Sequence, residues 1–303
     1  MCKNDLLLVG HTISDYIINV ENFPGPNQSN VINNLEILDG GSAANVAVVA
    51  RNLGLKTSLI SAVGHDFKNS KYGKKLKDLR IDIDDMIVSK DEKTPIAFVL
   101  TDSNQDQMTY IYWGASSAFS KSSLSQAAIK NAKVVHFGTG DPDFTLRGCE
   151  IAKSLGKIVS SDPGQDLHLY TDVQLKKMIE RINILFGNHY EIDKILDRLS
   201  LSIDDLKSIG PDIIVKTCGK LGSIIYAEEK INIDPIYRDA VDPTGAGDSY
   251  RAGFFKYYLE NKPLEECGNF ASAVSSFIVE SVGCQTNIPT TEEVLTRINE
   301  INE

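Results

Sequence analysis

Apolar residues fall along the chain in two rhythms: short unbroken runs, and longer stretches that repeat at helical spacing. Leu6-Leu7-Leu8-Val9, closed by Gly10, is a run of the first kind. A segment apolar on both faces reads as a strand inside a sheet covered from both sides. Residues 43–53 are apolar nearly all round, built from Ala and Val, with Gly54 after them. That predicts a buried helix of small residues ending at a C-terminal glycine. A strand at 57–62 and a charged amphipathic helix at 67–79 follow. The alternation continues with a strand at 134–137, a helix at 145–155, and strands at 157–161, 183–186, 212–216 and 223–226. Helical patterns over 247–260, 264–282 and 291–299 close the chain. Strands alternating with helices predict an α/β fold with a mostly parallel sheet between two helical layers.

Two places interrupt this order. Segments 15–20 and 34–38, and segments 94–101 and 108–113, read as antiparallel hairpin strands. The second pair encloses Asp102-Ser103-Asn104-Gln105-Asp106, a turn sequence. These strands predict a small β-sheet standing off the main one, formed by about 13–38 and 94–113 within one domain of 1–303.

Composition narrows the function. With 42% hydrophobic and 24% charged residues, the 303-residue chain is that of an ordinary globular protein. Its 31 Lys and Arg against 41 Asp and Glu give a net charge of −10, which argues against nucleic-acid binding. The five cysteines (Cys2, Cys149, Cys218, Cys267 and Cys284) are scattered and form no C-x-x-C pair. They read as reduced thiols of a cytoplasmic protein. No apolar run reaches the length of a signal-peptide core or a membrane span, so no membrane partner is expected.

The strongest chemical signal is Asp242-Pro243-Thr244-Gly245-Ala246-Gly247-Asp248-Ser249-Tyr250-Arg251-Ala252-Gly253-Phe254. Apolar residues follow at helical spacing, so Gly245-Ala246-Gly247 precedes a helix N-terminus. Free amides and the positive end of the helix dipole make an anion site there. An acid inside an anion site fits a general base that deprotonates a hydroxyl beside a phosphate, and Asp248 is so placed. The plainer alternative is that Asp248 caps the helix and the glycines make a turn. Tyr250 stands where a dinucleotide fingerprint needs Gly or Ala, and no G-x-x-x-x-G-K-[ST] loop occurs, which excludes both motifs.

This segment resembles the C-terminal signature of the ribokinase (PfkB) family of carbohydrate and nucleoside kinases. Gly40-Gly41-Ser42-Ala43-Ala44-Asn45 resembles that family's N-terminal signature. Asn188-His189-Tyr190-Glu191 resembles its N-x-x-E element, and Lys216-Thr217-Cys218-Gly219-Lys220-Leu221-Gly222 is similar to its T-x-G-x-x-G nucleotide loop. These motifs occur in family order across most of the chain.

The resemblance implies a three-layer α/β/α core with a β-sheet lid, and transfer of the γ-phosphoryl group of ATP to a primary alcohol. It implies that Asp248 is the base, with Gly245, Ala246 and Gly247 stabilising the moving phosphoryl group. It assigns Asp15, Gly40, Gly41 and Asn45 to the acceptor, and Asn188, Thr217, Gly219, Gly222, Gly245 and Gly247 to ATP. Glu191 would order magnesium through water. Asp242 and Thr244 match positions that hold a monovalent cation such as potassium in several members, although Pro243 replaces the commoner threonine. Some of these residues have ordinary readings too: a turn cap for Asp15, a bend for Gly40-Gly41, and a helix-end charge for Glu191. A buried Asn45 in an Ala and Val helix needs a partner in any case.

The acceptor is a small molecule, either nucleoside or sugar. The D-P-T-G-x-G-D form, Tyr112-Trp113-Gly114-Ala115, Thr139-Gly140-Asp141-Pro142 and Asp162-Pro163-Gly164-Gln165-Asp166 resemble archaeal-type nucleoside kinases. Few basic residues flank the sugar loops, which argues against a phosphorylated acceptor. Alternation puts Tyr110 and Tyr112 on one lid face, where a base could stack. The alternatives are a sugar kinase acting on ribose, fructose or 2-keto-3-deoxygluconate, and a catalytically inactive relative that binds or regulates. An intact Asp248 and Gly245-Ala246-Gly247 speak against the last. A lid edge strand could pair two copies into a homodimer.

Overall fold

A computed structural model describes residues 2–104 and 106–302. The chain opens with β1 (Asn4–Val9), β2 (Ile13–Val20), β3 (Ile32–Gly40) and helix α1 (Ser42–Asn52). Next come β4 (Thr57–Ile60), β5 (Ala62–Gly64), α2 (Lys71–Asp78), β6 (Ile87–Ser89), β7 (Ile96–Thr101) and β8 (Gln107–Tyr112). The middle runs α3 (Gln126–Asn131), β9 (Ala132–Phe137), α4 (Pro142–Ser154), β10 (Ile158–Ser161), α5 (Asp172–Ile179) and β11 (Ile184–Asn188). After α6 (His189–Leu199) and α7 (Ile203–Ile209) come β12 (Ile213–Thr217), β13 (Ser223–Tyr226) and β14 (Lys230–Ile233). Helices α8 (Ala246–Leu259), α9 (Leu264–Ile278) and α10 (Thr291–Asn302) finish the chain.

The main sheet has eight strands in the order β14-β13-β12-β11-β10-β9-β1-β4. It is parallel from β4 to β12, and β13 and β14 add an antiparallel edge. Strand alternation splits the apolar run of β1 between two cores. Leu6 and Leu8 join α1, α8 and α9 on one face, while Leu7 and Val9 join Phe137, Phe144 and Leu185 on the other. All four are at most 3% exposed. Burying each is worth roughly 1.5–3 kcal/mol, so these runs anchor the sheet whose strand ends carry the site. Helices α8 and α9 pack closely because Gly253 has no side chain; a Cβ there would stand 2.8 Å from the Ala271 Cα.

The second sheet, in the order β3-β2-β7-β8, is the expected small one. Both outer pairs are antiparallel, and β2 and β7 join them in parallel. Strands β2 and β3 extend the predicted segments by two residues at one or both ends, β7 begins two residues later than predicted, and β8 is shifted by one. Gln105, in the predicted turn between β7 and β8, lies outside the described residues. The helix expected over 264–282 stops at Ile278, and a chain of turns follows.

Candidate active site

The carboxyl ends of β1, β9, β10, β11 and β12 open into a cleft of about 850 Å³, roofed by β2, β7 and β8. Crevices at that end of a parallel sheet are the ordinary place for a ligand. Two helices start on its floor. Gly41 caps α1 with φ +97°, and a Cβ there would meet the His11 carbonyl at 2.5 Å. Gly245 caps α8 with φ +83° in the left-handed region, which glycine adopts without penalty. Of the amides of Gly245 to Asp248, that of Ala246 is otherwise engaged: its N–H donates to the Pro243 carbonyl at 3.2 Å. The amides of Gly245, Gly247 and Asp248 have no protein partner among the described residues, as at any helix start.

Asp248 sits between the two helix starts. Its Oδ1 accepts from the Ser42 hydroxyl at 3.0 Å and from the Arg251 guanidinium. Its Oδ2 accepts a single hydrogen bond, from Asn45 Nδ2 at 2.7 Å. One oxygen is therefore saturated and the other keeps acceptor capacity toward the cleft. Asn45 is 3% exposed, and its own Oδ1 accepts from Gln285 Nε2 at 2.8 Å. Its amide thus bridges Asp248 and Gln285, and the residue also lines the cleft. Gln285 is held by Lys75 at 2.9 Å and bonds the Tyr72 hydroxyl, which donates to the Gly40 carbonyl at 2.9 Å. This chain ties the Gly40-Gly41 bend to the Asp248 carboxylate.

Asp15 projects from β2 into the cleft beside Gly40, where a Cβ would overlap its carboxylate. Burial, reinforced by the nearby Asp39 charge, pushes its pKa up to about 6. Beyond it the cleft is lined by His11, Trp113, Thr139 and Gln165. His11 is fixed by Asp166 at 3.1 Å and Ser116 at 3.2 Å, and its ring lies 5.1 Å from that of Trp113. The expectation for Tyr110 and Tyr112 is corrected here. Thr109, Ile111 and Trp113 face the cleft, so the alternating tyrosines face outward, 62% and 41% exposed. The period was right, but both lid faces are apolar and the sequence did not say which is inside.

Asn188 and Glu191 begin α6 as a reciprocal capping box: Glu191 N–H donates to Asn188 Oδ1 at 2.9 Å, and Asn188 N–H to Glu191 Oε2 at 2.7 Å. The plain helix-end reading of Glu191 therefore holds, yet both side chains and Thr217 also line the cleft. Gly219 and Gly222 lie in the turn between β12 and β13, outside the lining. Gly222 is needed by the turn itself, since a Cβ there would overlap the Ile233 carbonyl. Asp242 straps two loops, accepting from Thr244 N–H and Gly283 N–H, each at 2.9 Å. Each of its oxygens accepts one backbone amide and keeps further acceptor capacity, and Asp242 and Thr244 both line the cleft. No group of three or more His, Cys, Asp or Glu side chains among the described residues is gathered to hold a metal. Glu191 and Asp162 both line the cleft, and the Glu191 charge adds to the rise in the Asp162 pKa.

Several functional candidates were not legible from the motifs. Ser42 reaches Asp248 across 206 positions, and Arg251 pairs with both Asp248 and Asp162. Burial raises the pKa of Asp162, while the Arg251 charge works against that rise. Beneath them His136 is buried against Phe186 and Phe255, and burial together with Arg251 holds it neutral. An arginine three positions after Asp248 was visible in the sequence; its partner Asp162, just after β10, was not.

The family model for pfkB family carbohydrate kinases matches residues 3–291. The chain is 56% identical to a nucleoside kinase of Methanothermobacter thermautotrophicus over 97% of its own length and 95% of the other. The crystal structure of Methanocaldococcus jannaschii nucleoside kinase superposes with a TM-score of 0.94 at 42% identity, covering 99% of each chain. Arabidopsis thaliana ribokinase, solved with ribose and ATP, shares the fold with a TM-score of 0.86 at 23% identity, over 98% and 99% of the two chains. The ordered motifs, the layered sheet with its roof and a match along almost the whole length agree: this chain belongs to the pfkB family of carbohydrate kinases.

Proposed function

We infer that the protein transfers the γ-phosphoryl group of ATP to the primary 5′-hydroxyl of a nucleoside. What carries this reading is the Asp248 carboxylate, with one oxygen saturated and the other open, beside the free amides of Gly245, Gly247 and Asp248. Asp248 Oδ2 takes the hydroxyl proton, and the three amides meet the charge on the phosphoryl group as it moves. Asn188 and Thr217 line the triphosphate side. Magnesium would come with ATP and neutralise its charge, with Glu191 holding its water. The capping interaction uses Glu191 Oε2 and leaves Oε1 to that task. Asp242 orders two loops through backbone amides and, with Thr244, keeps oxygen acceptors at the cleft that would suit a potassium ion.

On the acceptor side Asp15 accepts from ribose hydroxyls, and the Gly40-Gly41 bend lets the sugar approach the backbone. Asn45 acts mainly through Asp248. The nucleobase lies toward Trp113, His11 and Gln165, where an aromatic ring and an amide await it. A free pentose leaves that end of the cleft unfilled. The roofing sheet acts as a lid. Its outer face exposes Ile32, Leu35, Ile37 and Tyr110 by 50% to 62%, an apolar surface suited to a second copy. We propose a homodimer through that face, with Ile37→Lys giving monomers by light scattering; a wild-type monomer would exclude it. All five cysteines are free thiols, in keeping with a reducing cytoplasm, and no described helix is long and apolar enough to cross a membrane.

The test is an acceptor screen with ATP and magnesium, comparing inosine, guanosine, adenosine and cytidine with ribose, fructose and 2-keto-3-deoxygluconate. At least one nucleoside should exceed every free sugar in kcat/KM and yield a 5′-monophosphate. Higher efficiency on a free sugar than on every nucleoside would replace this reading with that of a sugar kinase.

A further inference from the structure

The cleft has an unbalanced charge for a site that takes ATP. Asp15, Asp162, Glu191, Asp242 and Asp248 line it, and Arg251 is the sole Lys or Arg among the described lining residues. That arginine is deeply seated, with a side chain 11% exposed. Side chains on a helix lean toward its N-terminus, so Arg251 on α8 reaches back over the residues three and four positions earlier. Those residues are Asp248 and Gly247. Nη2 pairs with Asp248 Oδ1 and lies 3.4 Å from the Ser42 hydroxyl, while Nη1 pairs with Asp162 Oδ2. A Cβ placed on Gly247 would stand 3.7 Å from Nη1 and 4.0 Å from Nη2, and beyond the adjacent residues and the helix backbone no other described atom comes within 4 Å. The guanidinium therefore borders the open space above the Gly247 amide, where an anion in the cradle would sit. A guanidinium has five N–H donors, and the two carboxylates and Ser42 do not use them all; Nε is buried with no partner.

We propose that Arg251 is a further catalytic residue, whose guanidinium touches the phosphoryl group in transit while it holds Asp248 aimed at the acceptor. The inference rests on the kinase reading above. In the step, Asp248 Oδ2 takes the proton of the acceptor hydroxyl, and the acceptor oxygen so freed bonds to the γ-phosphorus of ATP. The bond from γ-phosphorus to the β–γ bridging oxygen breaks, and its electron pair leaves on ADP. Asp248 later returns the proton to water. Arg251 transfers no proton; it adds fixed positive charge beside the γ-phosphoryl oxygens, and its two ion pairs keep it there before ATP arrives.

The test compares Arg251→Gln, Arg251→Ala and the double variant Asp162→Asn/Arg251→Gln, which leaves no unpaired Asp162 charge if the single variants fold poorly. Arg251→Gln and the double variant should lose kcat by roughly 10²–10³-fold, with KM for ATP and for the nucleoside within about threefold of wild type. Guanidinium ion added to Arg251→Ala should restore kcat at least about tenfold, a response that lost packing alone does not give. A kcat within about threefold of wild type in the double variant would overturn the proposal, as Arg251 would then serve only to satisfy Asp162. Absence of guanidinium rescue would overturn it as well. The wild-type protein measured alongside separates the two questions: if it phosphorylates no nucleoside, the kinase reading itself falls.

Discussion

Gly247→Ala separates folding from chemistry at a single carbon atom. In the first turn of α8, position 247 carries no positive φ, and an added Cβ meets nothing closer than Arg251 Nη1 at 3.7 Å, an ordinary contact. Alanine favours a helix over glycine by about 0.5–1 kcal/mol, so the variant should fold as well as wild type or better. In a chain of this length that raises the melting temperature by no more than about 2–4 °C. The methyl nevertheless enters the space beside the free Gly247 and Asp248 amides, where the phosphoryl oxygens must come within hydrogen-bond distance. Losing one donor of such a cradle costs about 10²–10³ in kcat, equivalent to roughly 2.7–4 kcal/mol, and partial displacement should fall toward the lower end. The assay is ADP release with saturating nucleoside, beside a thermal melt of the same sample. A variant with wild-type kcat would refute the cradle. A variant that lost both activity and tens of degrees in melting temperature would refute the claim that the space is open.

Asp15 gives a pH signature. With its pKa raised to about 6, kcat/KM for the nucleoside should fall as pH drops through 6 while kcat/KM for ATP stays flat, and Asp15→Asn should abolish that limb. The same carboxylate binds its proton more tightly folded than unfolded, so its contribution to stability declines as pH rises from about 4 to 6. Asp15→Asn should therefore melt higher than wild type above pH 6 and no higher at pH 4; equal melting at both would contradict a buried charge. Glu191→Gln preserves the capping box, because an amide oxygen also accepts from Asn188, so the fold should be unchanged. It removes the charge, and the magnesium concentration for half-maximal rate should rise several-fold; an unchanged profile returns Glu191 to capping alone. Gly40→Ala drives a methyl into the Asp15 carboxylate and should raise the nucleoside KM at least as much as Asp15→Ala.

Much of this was legible in the sequence because local rules and global fold agree. Leu6 to Val9 is apolar on both faces because the sheet is covered on both faces. The glycine segment before α8 announces an anion site because free amides need no partner elsewhere in the chain. Short elements were harder. Helices α5 and α7 have eight and seven residues, too few for a clear 3.6-residue period, and for α6 the helix-end reading of Glu191 points to the start but not to the extent of the helix. Strand β14, Lys230-Ile231-Asn232-Ile233, is a four-residue edge, too short for its alternation to stand out. The polar network around Asp248 was the least legible part. Asn45 and Ser42 on α1 and Asp162 after β10 are far away in sequence, and only the parallel sheet brings their loops to one end. Ala246 shows the opposite limit, since its amide looked available until the turn through Pro243 claimed it.

The role of Asp248 is the claim on which the rest depends, and Asp248→Asn tests it most directly. The amide keeps the size of the side chain and leaves the cradle amides in place, so ATP and nucleoside should bind with affinities close to wild type by calorimetry. Turnover should fall about 10²–10⁴-fold, the usual contribution of a general base. Wild-type turnover with bound substrates, in an assay limited by chemistry, would contradict the account.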